Sequence, residues 1–246
     1  KSFWNGVLPE GESAMINEHI LEHHIDLRLD TNLEEIISDE NGRARAVVTD
    51  KGDIIECNVV GLTAGVTPNV DFLKESCIEL GRGVKVNRFL ETSAKDVYAI
   101  GDCAEQHEGI GSRRPIEAVW YSAKFLDVEY QTYGWVFSER SKEDHEQHFH
   151  WRHPKEKICI TIAYHKDTMK FLGINTFGIR MRHEVFDQWL TENKDVDHVM
   201  TYLKDANFDP EFYKLYEAEI VNKYNAAFNK NIRLEKKSWK RIFSKA

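Results

Sequence analysis

Residues 91–105 read ETSAKDVYAIGDCAE, a short apolar run that ends in Gly101-Asp102-Cys103. The run 96–100 predicts a short buried strand, and the glycine after it lets the backbone approach a ligand closely. A carboxylate just beyond the carboxyl end of a strand can accept hydrogen bonds from sugar-like hydroxyls, in the crevice where open α/β sheets bind ligands. Many folds contain a strand followed by Gly-Asp, but the longer pattern Thr-Ser-x-x-x-Val-Tyr-Ala-Ile-Gly-Asp-Cys-Ala is much more specific.

The sequence before this stretch predicts a helix followed by short strands. Residues 11–24 carry apolar residues and histidines on one face at helical spacing. The hairpin signal Asn41-Gly42 and the turn Lys51-Gly52 separate strand-like runs. A continuous apolar run at 58–63 is typical of a buried parallel strand. The predicted strands before it are 25–29, 33–38, 43–49 and 53–57.

The sequence after this stretch predicts a helix at 115–130, with Pro115 suited to the first turn. Residues 138–156 are highly charged and rich in histidine, which favours a linker. Two strands and a helical remainder follow. The strands are predicted at 157–164 and 170–177, and the helices at 182–192, 195–204 and 210–228.

Composition narrows the class of protein. The chain has 246 residues, 41% of them hydrophobic and 30% charged, which is an ordinary globular mixture. No run approaches the roughly 18 apolar residues of a membrane span, so no spanning helix is expected. A net charge of −8 disfavours nucleic-acid binding, because phosphate contacts need a positive surface. Four cysteines without a CxxC pair indicate a reducing compartment and a cytoplasmic location.

The stretch 91–105 closely resembles the second FAD-binding motif of the FAD-dependent pyridine nucleotide-disulfide oxidoreductases. Residues 61–69 (GLTAGVTPN) are similar to the segment with which that family leaves its NAD-binding domain. Residues 113–123 (RRPIEAVWYSA) are similar to the helix after the Gly-Asp turn in the NADH oxidase, rubredoxin reductase and nitrite reductase-like branch. The resemblance covers roughly residues 1–130 and implies an α/β fold of the nucleotide-binding type.

The resemblance implies cofactors and site residues. FAD would be held by Asp102 through its ribityl or pyrophosphate region, with Gly101 giving access to the backbone. The start of the helix at Pro115 and Ile116 would point at the flavin ring, and Trp120 would lie one turn further on. The nicotinamide cofactor, NAD(P)H, would lie near Gly65. Because the cofactors carry the chemistry, no catalytic side chain is assigned.

The resemblance also implies an order of domains and how much of such an enzyme the chain represents. Neither of the family's glycine-rich fingerprints is present, so the chain is expected to correspond to the later half of such an enzyme and to be inactive alone. The plan runs from the second half of a Rossmann-like NAD(P) domain through the last part of an FAD domain to an α+β interface domain, which is expected to form a homodimer. The expected segments are 1–69 (NAD(P) domain), 70–137 (FAD domain), 138–156 (linker), 157–229 (interface domain) and 230–246 (basic tail).

Three patterns leave alternatives open. His19 and His23 fall in an H-x-x-E-H sequence, a zinc-peptidase type of motif, or belong to a partly buried helix face. His145, His148, His150 and His153 could bind a metal or lie in a solvated linker. Cys103 is a thiol near the flavin or a small buried residue. We assign no metal site from these patterns.

The basic tail also has more than one interpretation. Residues 230–246 hold seven basic residues against one acid, Glu235, and carry an apolar face formed by Trp239, Ile242 and Phe243. This face could lie on a membrane surface, dock an acidic electron-transfer partner or pack on the acidic body of the chain.

The predicted function is therefore oxidation of NAD(P)H through FAD, with electrons passing to an acceptor protein or a small-molecule acceptor. The sequence identifies neither that acceptor nor the choice between NADH and NADPH. The alternative is a non-enzymatic dimerisation or partner-binding module on a residual nucleotide-binding scaffold.

Overall fold

The computed structural model describes residues 2–65, 67–87, 89–106, 120–140, 142–208 and 214–235. The chain forms two compact units: unit 1 comprises residues 1–27 and 117–246, and unit 2 comprises residues 28–116. Helices and sheets mix as predicted for an α/β chain. In chain order the elements are α1 (Glu10–Glu22), β1 (Leu33–Ser38), β2 (Ala44–Thr49), β3 (Ile54–Glu56), β4 (Val84–Val86), β5 (Ala104–Gln106), β6 (Trp120–Phe125), β7 (Val128–Gly134), β8 (Glu146–Arg152), β9 (Cys159–His165), β10 (Phe171–Phe177), α2 (His183–Thr191), α3 (Val196–Thr201) and α4 (Glu217–Phe228).

Unit 1 is built on an antiparallel five-stranded sheet in the order β6-β7-β10-β9-β8. The register sets Ile174 of β10 opposite Tyr133 of β7 on one side and Ile162 of β9 on the other. These side chains are buried in one apolar cluster together with residues of α2, α3 and α4. Neighbouring residues such as Cys159 and Phe177 join a second cluster, because successive side chains of a strand point to opposite faces. Both faces of the central strands are therefore covered.

Helix α1 covers the second face of this sheet. Met15, Ile16 and Ile20 are almost completely buried and pack in one cluster with Val128 and Tyr130 of β7. Their spacing places them on one face of the helix, as the sequence predicts. The predicted helix at 11–24 is confirmed to within two residues at its end.

A polar seam joins α1 to the sheet beneath it. The buried Glu12 accepts a hydrogen bond from Asn175 Nδ2 through its Oε2 at 2.9 Å, and Thr132 donates to Asn175 Oδ1 at 2.8 Å. Burial raises the pKa of Glu12 to about 7, although hydrogen bonds from Thr161 and Asn175 favour its ionised form. The helix is thus joined to strands β7, β9 and β10 by polar as well as apolar contacts.

Unit 2 begins with the antiparallel meander β1-β2-β3. Gly42 and Gly52 adopt positive φ angles of 74° and 82° in its two turns. At the first turn the Asp39 carboxylate accepts hydrogen bonds from the backbone N–H groups of Asn41 and Arg43. The turns and all three strands confirm the prediction for residues 33–57.

Three predicted strands are absent from the described structure. Residues 25–29, 58–63 and 96–100 form no regular strand; the last range contributes a single bridge from Tyr98 to Glu91. Val59 and Leu62 are 83% and 75% exposed, and Ile100 is 69% exposed. An apolar run becomes a buried strand only where neighbouring strands pair with it. Apart from the bridge at Tyr98, the described residues supply no strand pairing at these runs.

The predicted helix at 115–130 is wrong for its described part. Residues 120–134 form the hairpin β6–β7, in which Phe125 pairs with Val128 across a two-residue turn. Val128, Tyr130 and Thr132 alternate toward α1, and this period of two with β-branched and aromatic residues favours a strand. Residues 107–119, including Pro115 and Ile116, lie outside the described residues.

The predicted linker at 138–156 contains strand β8 at the edge of the sheet. Phe149 and Trp151 are buried in the core, so an alternating pattern underlies the charged sequence. His148 and His150 find separate partners, because His148 Nε2 lies 2.6 Å from Glu146 Oε1 and His150 Nδ1 lies 2.9 Å from Thr161 Oγ1. Among the described residues, these histidines belong to no group of three ligands that could hold a metal ion.

The C-terminal elements agree in kind with the sequence. Strands β9 and β10 and helices α2 and α3 confirm four predictions, and α4 begins at Glu217 rather than at residue 210. Residues 209–213 and 236–246, with the apolar face of the tail, are outside the described part. Among the described helices, none combines the length and apolar character that crossing a membrane requires.

We expect Gly173→Ala to lower the free energy of unfolding of unit 1 by about 1–3 kcal/mol. A Cβ at this position would lie 2.5 Å from the backbone N and O atoms of Trp135, which cannot move without disturbing the sheet. Gly6→Ala is the matched control, because no atom lies within 4 Å of its Cβ position. All six tryptophans belong to unit 1, so fluorescence during urea unfolding reports on it. Equal midpoints for the two variants would contradict this packing.

We also expect Glu12 to make stability depend on pH. Its pKa is raised from 4.5 to about 7 on folding, so the folded state binds more protons between these values and loses stability as pH rises. The wild type should therefore lose about 3 kcal/mol relative to Glu12→Gln between pH 4.5 and 7.

His150 gives a slope of opposite sign, because burial lowers its pKa to about 4. Both proteins share that slope, so it cancels in the difference. Urea unfolding across this pH range provides the measurement, and parallel stability curves for the two proteins would disprove the role of Glu12.

Candidate functional site

The candidate site is the turn Gly101–Cys103 in unit 2. Ile100 before it is extended, and Gly101 then adopts a φ of +75°, which side-chain-bearing residues rarely tolerate. A single 3₁₀ turn follows, and the chain enters β5 at Ala104. Strand β5 runs parallel to β4, with Val84 paired to Ala104. The sequence correctly predicts a Gly-Asp turn, but this turn precedes a paired strand rather than ending one.

The turn presents an open backbone and a free carboxylate. No atom lies within 4 Å of the position that a Cβ on Gly101 would occupy. Asp102 is exposed, and within the described ranges its carboxylate has no hydrogen-bond or ion-pair partner. A ligand could therefore reach the backbone at Gly101 and donate hydrogen bonds to Asp102. This arrangement fits a polyhydroxyl group such as the ribityl chain of a flavin.

Cys103 has a structural contact. Its thiol is half-buried and donates a hydrogen bond to the carbonyl oxygen of Ile100 at 3.3 Å. This contact closes the turn and gives the cysteine a structural role, although Cys103 is not fully buried as one of the two interpretations expected.

Thr92 and Ser93, the first residues of the motif, stabilise the loop before the turn. Thr92 Oγ1 donates to the carbonyl oxygen of Val97 at 2.9 Å. Ser93 Oγ accepts from the N–H of Glu79 at 2.8 Å and donates to the carbonyl oxygen of Cys77 at 3.1 Å. The hydroxyls thereby add to the few backbone hydrogen bonds of this segment, such as the one from the N–H of Ala99 to the carbonyl oxygen of Leu90. Their position in the motif is explained by this structural role.

Two glycines, Gly81 and Gly83, lie in a loop that packs against the turn. Their role was not predicted from the sequence. The N–H of Gly83 donates to Glu105 Oε2 at 2.7 Å. A Cβ on Gly83 would lie 2.6 Å from the carbonyl oxygen of Cys103. Only glycine allows this approach of the loop at residues 81–83 to the Gly101–Cys103 turn. The Gly-x-Gly spacing and the acid two residues after Cys103 were the available signals.

The other predicted site residues lie elsewhere. Gly65 has a φ of +104° in an irregular loop of unit 2 and, like Gly101, has open space around it. Trp120 is the first residue of β6 in unit 1, so it does not lie one turn into a helix as predicted. Pro115 and Ile116 lie outside the described residues, and among the four predicted residues that the structure describes it brings together the neighbours Gly101 and Asp102.

Unit 2 exposes many apolar side chains around these loops. Phe72, Phe89 and Tyr98 are each at least 60% exposed, as are Val59, Leu62 and Ile100. The buried apolar cluster of the unit is small and centres on Val70, Val84 and Val86. The Gly101–Cys103 turn therefore lies on a unit in which many of the described apolar side chains are exposed.

Comparison with known proteins confirms the resemblance. Residues 5–123 match the family described as pyridine nucleotide-disulphide oxidoreductase. The rubredoxin-NAD(+) reductase of Acinetobacter baylyi is 32% identical over 99 residues, covering 40% of this chain and 25% of that protein. The NADH-rubredoxin oxidoreductase of Clostridium acetobutylicum is 37% identical over 105 residues, covering 40% of this chain and 27% of that protein. Residues 5–123 therefore resemble this family, and the match spans about a quarter of the length of each of these two relatives.

The fold agrees with this assignment over more of the chain. The structure of an NAD-dependent persulfide reductase from A. fulgidus superposes with a TM-score of 0.68 at 18% identity. The match covers 91% of this chain and 48% of that protein, so the chain spans about half the length of this structural relative. The predicted α/β fold class is therefore confirmed.

Proposed function

We propose that this chain is part of a flavoprotein oxidoreductase that oxidises NAD(P)H through FAD and passes the electrons to a separate acceptor. The observation that carries the proposal is the open Gly101–Asp102 turn, positioned within the segment 5–123 that matches the oxidoreductase family. FAD, when bound, would supply hydride acceptance and electron transfer. The protein's own part is to bind and orient it.

The local geometry supports three of the proposed roles. Asp102 accepts hydrogen bonds from cofactor hydroxyls, because its carboxylate is exposed and has no partner among the described residues. Gly101 allows the cofactor to contact the backbone, since its positive φ leaves the space beside it empty. Gly65, in a similar open conformation, serves the nicotinamide nucleotide. Pro115 and Ile116 retain their proposed place beside the flavin ring, which the family resemblance alone supports.

The remaining assignments extend the same proposal. Residues 1–69 belong to the NAD(P) domain and 70–137 to the FAD domain, and residues 157–229 mediate a homodimer. Two relatives carry rubredoxin in their names, which supports a small redox protein as the acceptor. The four cysteines are free, which supports a reducing, cytoplasmic environment.

A second candidate is a partner-binding module without enzymatic activity. The observation that favours it is the extensive core of unit 1, where the sheet and helices α2–α4 share one large buried cluster. This core contains neither Gly101 nor Asp102, so it could serve binding alone. Flavin content separates the two candidates, because only the oxidoreductase requires FAD.

We expect the full-length protein that contains these residues, its size established by intact mass, to show a flavin absorption band that NADH bleaches without oxygen. Asp102→Ala should weaken FAD binding at least about tenfold, because hydrogen bonds to a charged group contribute about 1.5–3 kcal/mol. Asp71→Ala is the matched control, since this exposed acid pairs only with Lys74 three residues away. A colourless protein that takes up no added FAD would support the binding module instead.

A further inference from the structure

The end of helix α1 and the β6–β7 turn bring two histidines and a carboxylate together. His19 Nε2 lies 2.6 Å from Asp127 Oδ1, and His23 Nε2 lies 3.6 Å from the same oxygen. The ligand atoms of the three residues all lie within 4.8 Å of one another. Because the residues share unit 1, their arrangement is that of one compact body. We propose that His19, His23 and Asp127 form a binding site for a divalent transition-metal cation, with Zn²⁺ the best fit.

The spacing of the ligand atoms suits such a cation. In tetrahedral zinc sites the metal lies about 2.0–2.2 Å from nitrogen and oxygen ligands, which places neighbouring ligand atoms roughly 3.3 Å apart. The two measured distances to Asp127 Oδ1 lie on either side of this value. Two imidazoles and one carboxylate are ligands that Zn²⁺ accepts, with a water completing the set. Asp127 and His23 are 74% and 38% exposed, so solvent can reach the remaining position.

A hydrogen bond orients the imidazole of His23 so that its Nε2 can bind a metal. Its Nδ1 lies 2.9 Å from the carbonyl oxygen of His19, which can only accept a hydrogen bond. Nδ1 therefore carries the proton, and the lone pair of Nε2 is free on the side facing Asp127. A hydrogen bond from the second ring nitrogen to a backbone carbonyl is the usual way in which proteins orient a metal-binding histidine.

His19 provides an independent sign that a ligand is missing. It is 4% exposed, and within the described residues neither of its buried ring nitrogens makes a hydrogen bond of acceptable geometry. Its Nε2 lies close to Asp127 Oδ1, but the two atoms are not aligned for a hydrogen bond. Leaving buried polar atoms unsatisfied is costly. A cation between Nε2 and Oδ1 would satisfy this nitrogen.

The electrostatic surroundings favour a positive charge. His23 is the C-cap of α1, and the end of a helix attracts cations because its last carbonyl groups point outward. Glu22 lies 4.0 Å from His19 but is paired with Lys157 at 2.6 Å, so we do not count it as a ligand.

The fold holds the three ligands in place before any metal binds. Ile20 of α1 and Val128 of β7, each beside a ligand, are buried in the same apolar cluster. Asp127 is fixed by the two-residue turn in which Leu126 has a φ of 54°. A bound cation would therefore link α1 to the β6–β7 hairpin. The proposed metal site does not depend on the proposed flavin function.

The test titrates the untagged full chain, after removal of metals by a chelator, with Zn²⁺ by calorimetry and with Co²⁺ by visible absorption. We expect one Zn²⁺ per chain, a Co²⁺ spectrum typical of a site with nitrogen and oxygen ligands, and a higher melting temperature with Zn²⁺. His23→Gln and Asp127→Asn should each weaken Zn²⁺ binding at least about tenfold, since loss of even an outer-shell partner costs 10–100-fold. Both side chains are partly exposed, so these variants should fold.

Two matched controls separate this site from the other histidines. His24→Asn changes the exposed residue next to the site and tolerates its φ of 57°, and His145→Gln changes a histidine that stacks on His165. Both should bind Zn²⁺ as the wild type does. Unchanged Zn²⁺ affinity in His23→Gln and Asp127→Asn would overturn the proposal. So would a wild type that binds no Zn²⁺, because the cluster would then be an ion pair alone.

Discussion

The packing of α1 on the five-stranded sheet is the constraint on which unit 1 depends. It joins residues that are more than 130 positions apart in the chain, through Arg152 with Glu18, Lys157 with Glu22 and Asn175 with Glu12. The hydrogen bond from Arg152 holds the pKa of Glu18 below its usual value. Exposed ion pairs of this kind contribute little stability. The buried apolar face of α1 therefore supplies most of the attachment, and the charges at its edge fix its direction.

The same packing explains which elements could be predicted from the sequence. Helix α1 and the meander β1-β2-β3 depend on local signals, namely helical spacing and the glycine turns at Gly42 and Gly52. The sequences of β6, β7 and β8 resemble a helix and a charged linker, and these strands form because β7 pairs with the distant β10 and β8 pairs with the central strand β9. Tertiary pairing decided their structure, because half-buried strands gain stability from neighbours on the sheet rather than from backbone preference.

The candidate site also combines features that local sequence sets with features that depend on tertiary contacts. The positive φ of Gly101 and the exposure of Asp102 follow from a local Gly-Asp pattern, so the sequence could predict them. The contact between Gly83 and Glu105 joins residues 22 positions apart, and only the folded chain reveals it. The apolar run before Gly101 was predicted to be buried because of its composition alone. In the described structure this run forms a single bridge to Glu91, and it is held by backbone hydrogen bonds and by the hydroxyl of Thr92.

The two proposed sites belong to different units, and this separation has a physical consequence. The Gly101–Asp102 turn is in unit 2, where the apolar cluster is small, whereas His19, His23 and Asp127 are in unit 1. Binding energy stabilises whatever structure the ligand requires to be ordered. A cation at the end of α1 would stabilise a helix that is already well packed, whereas a cofactor at Gly101 would act on segments that have few buried contacts. A cofactor at Gly101 should therefore change the order of its surroundings far more than a cation bound by His19, His23 and Asp127.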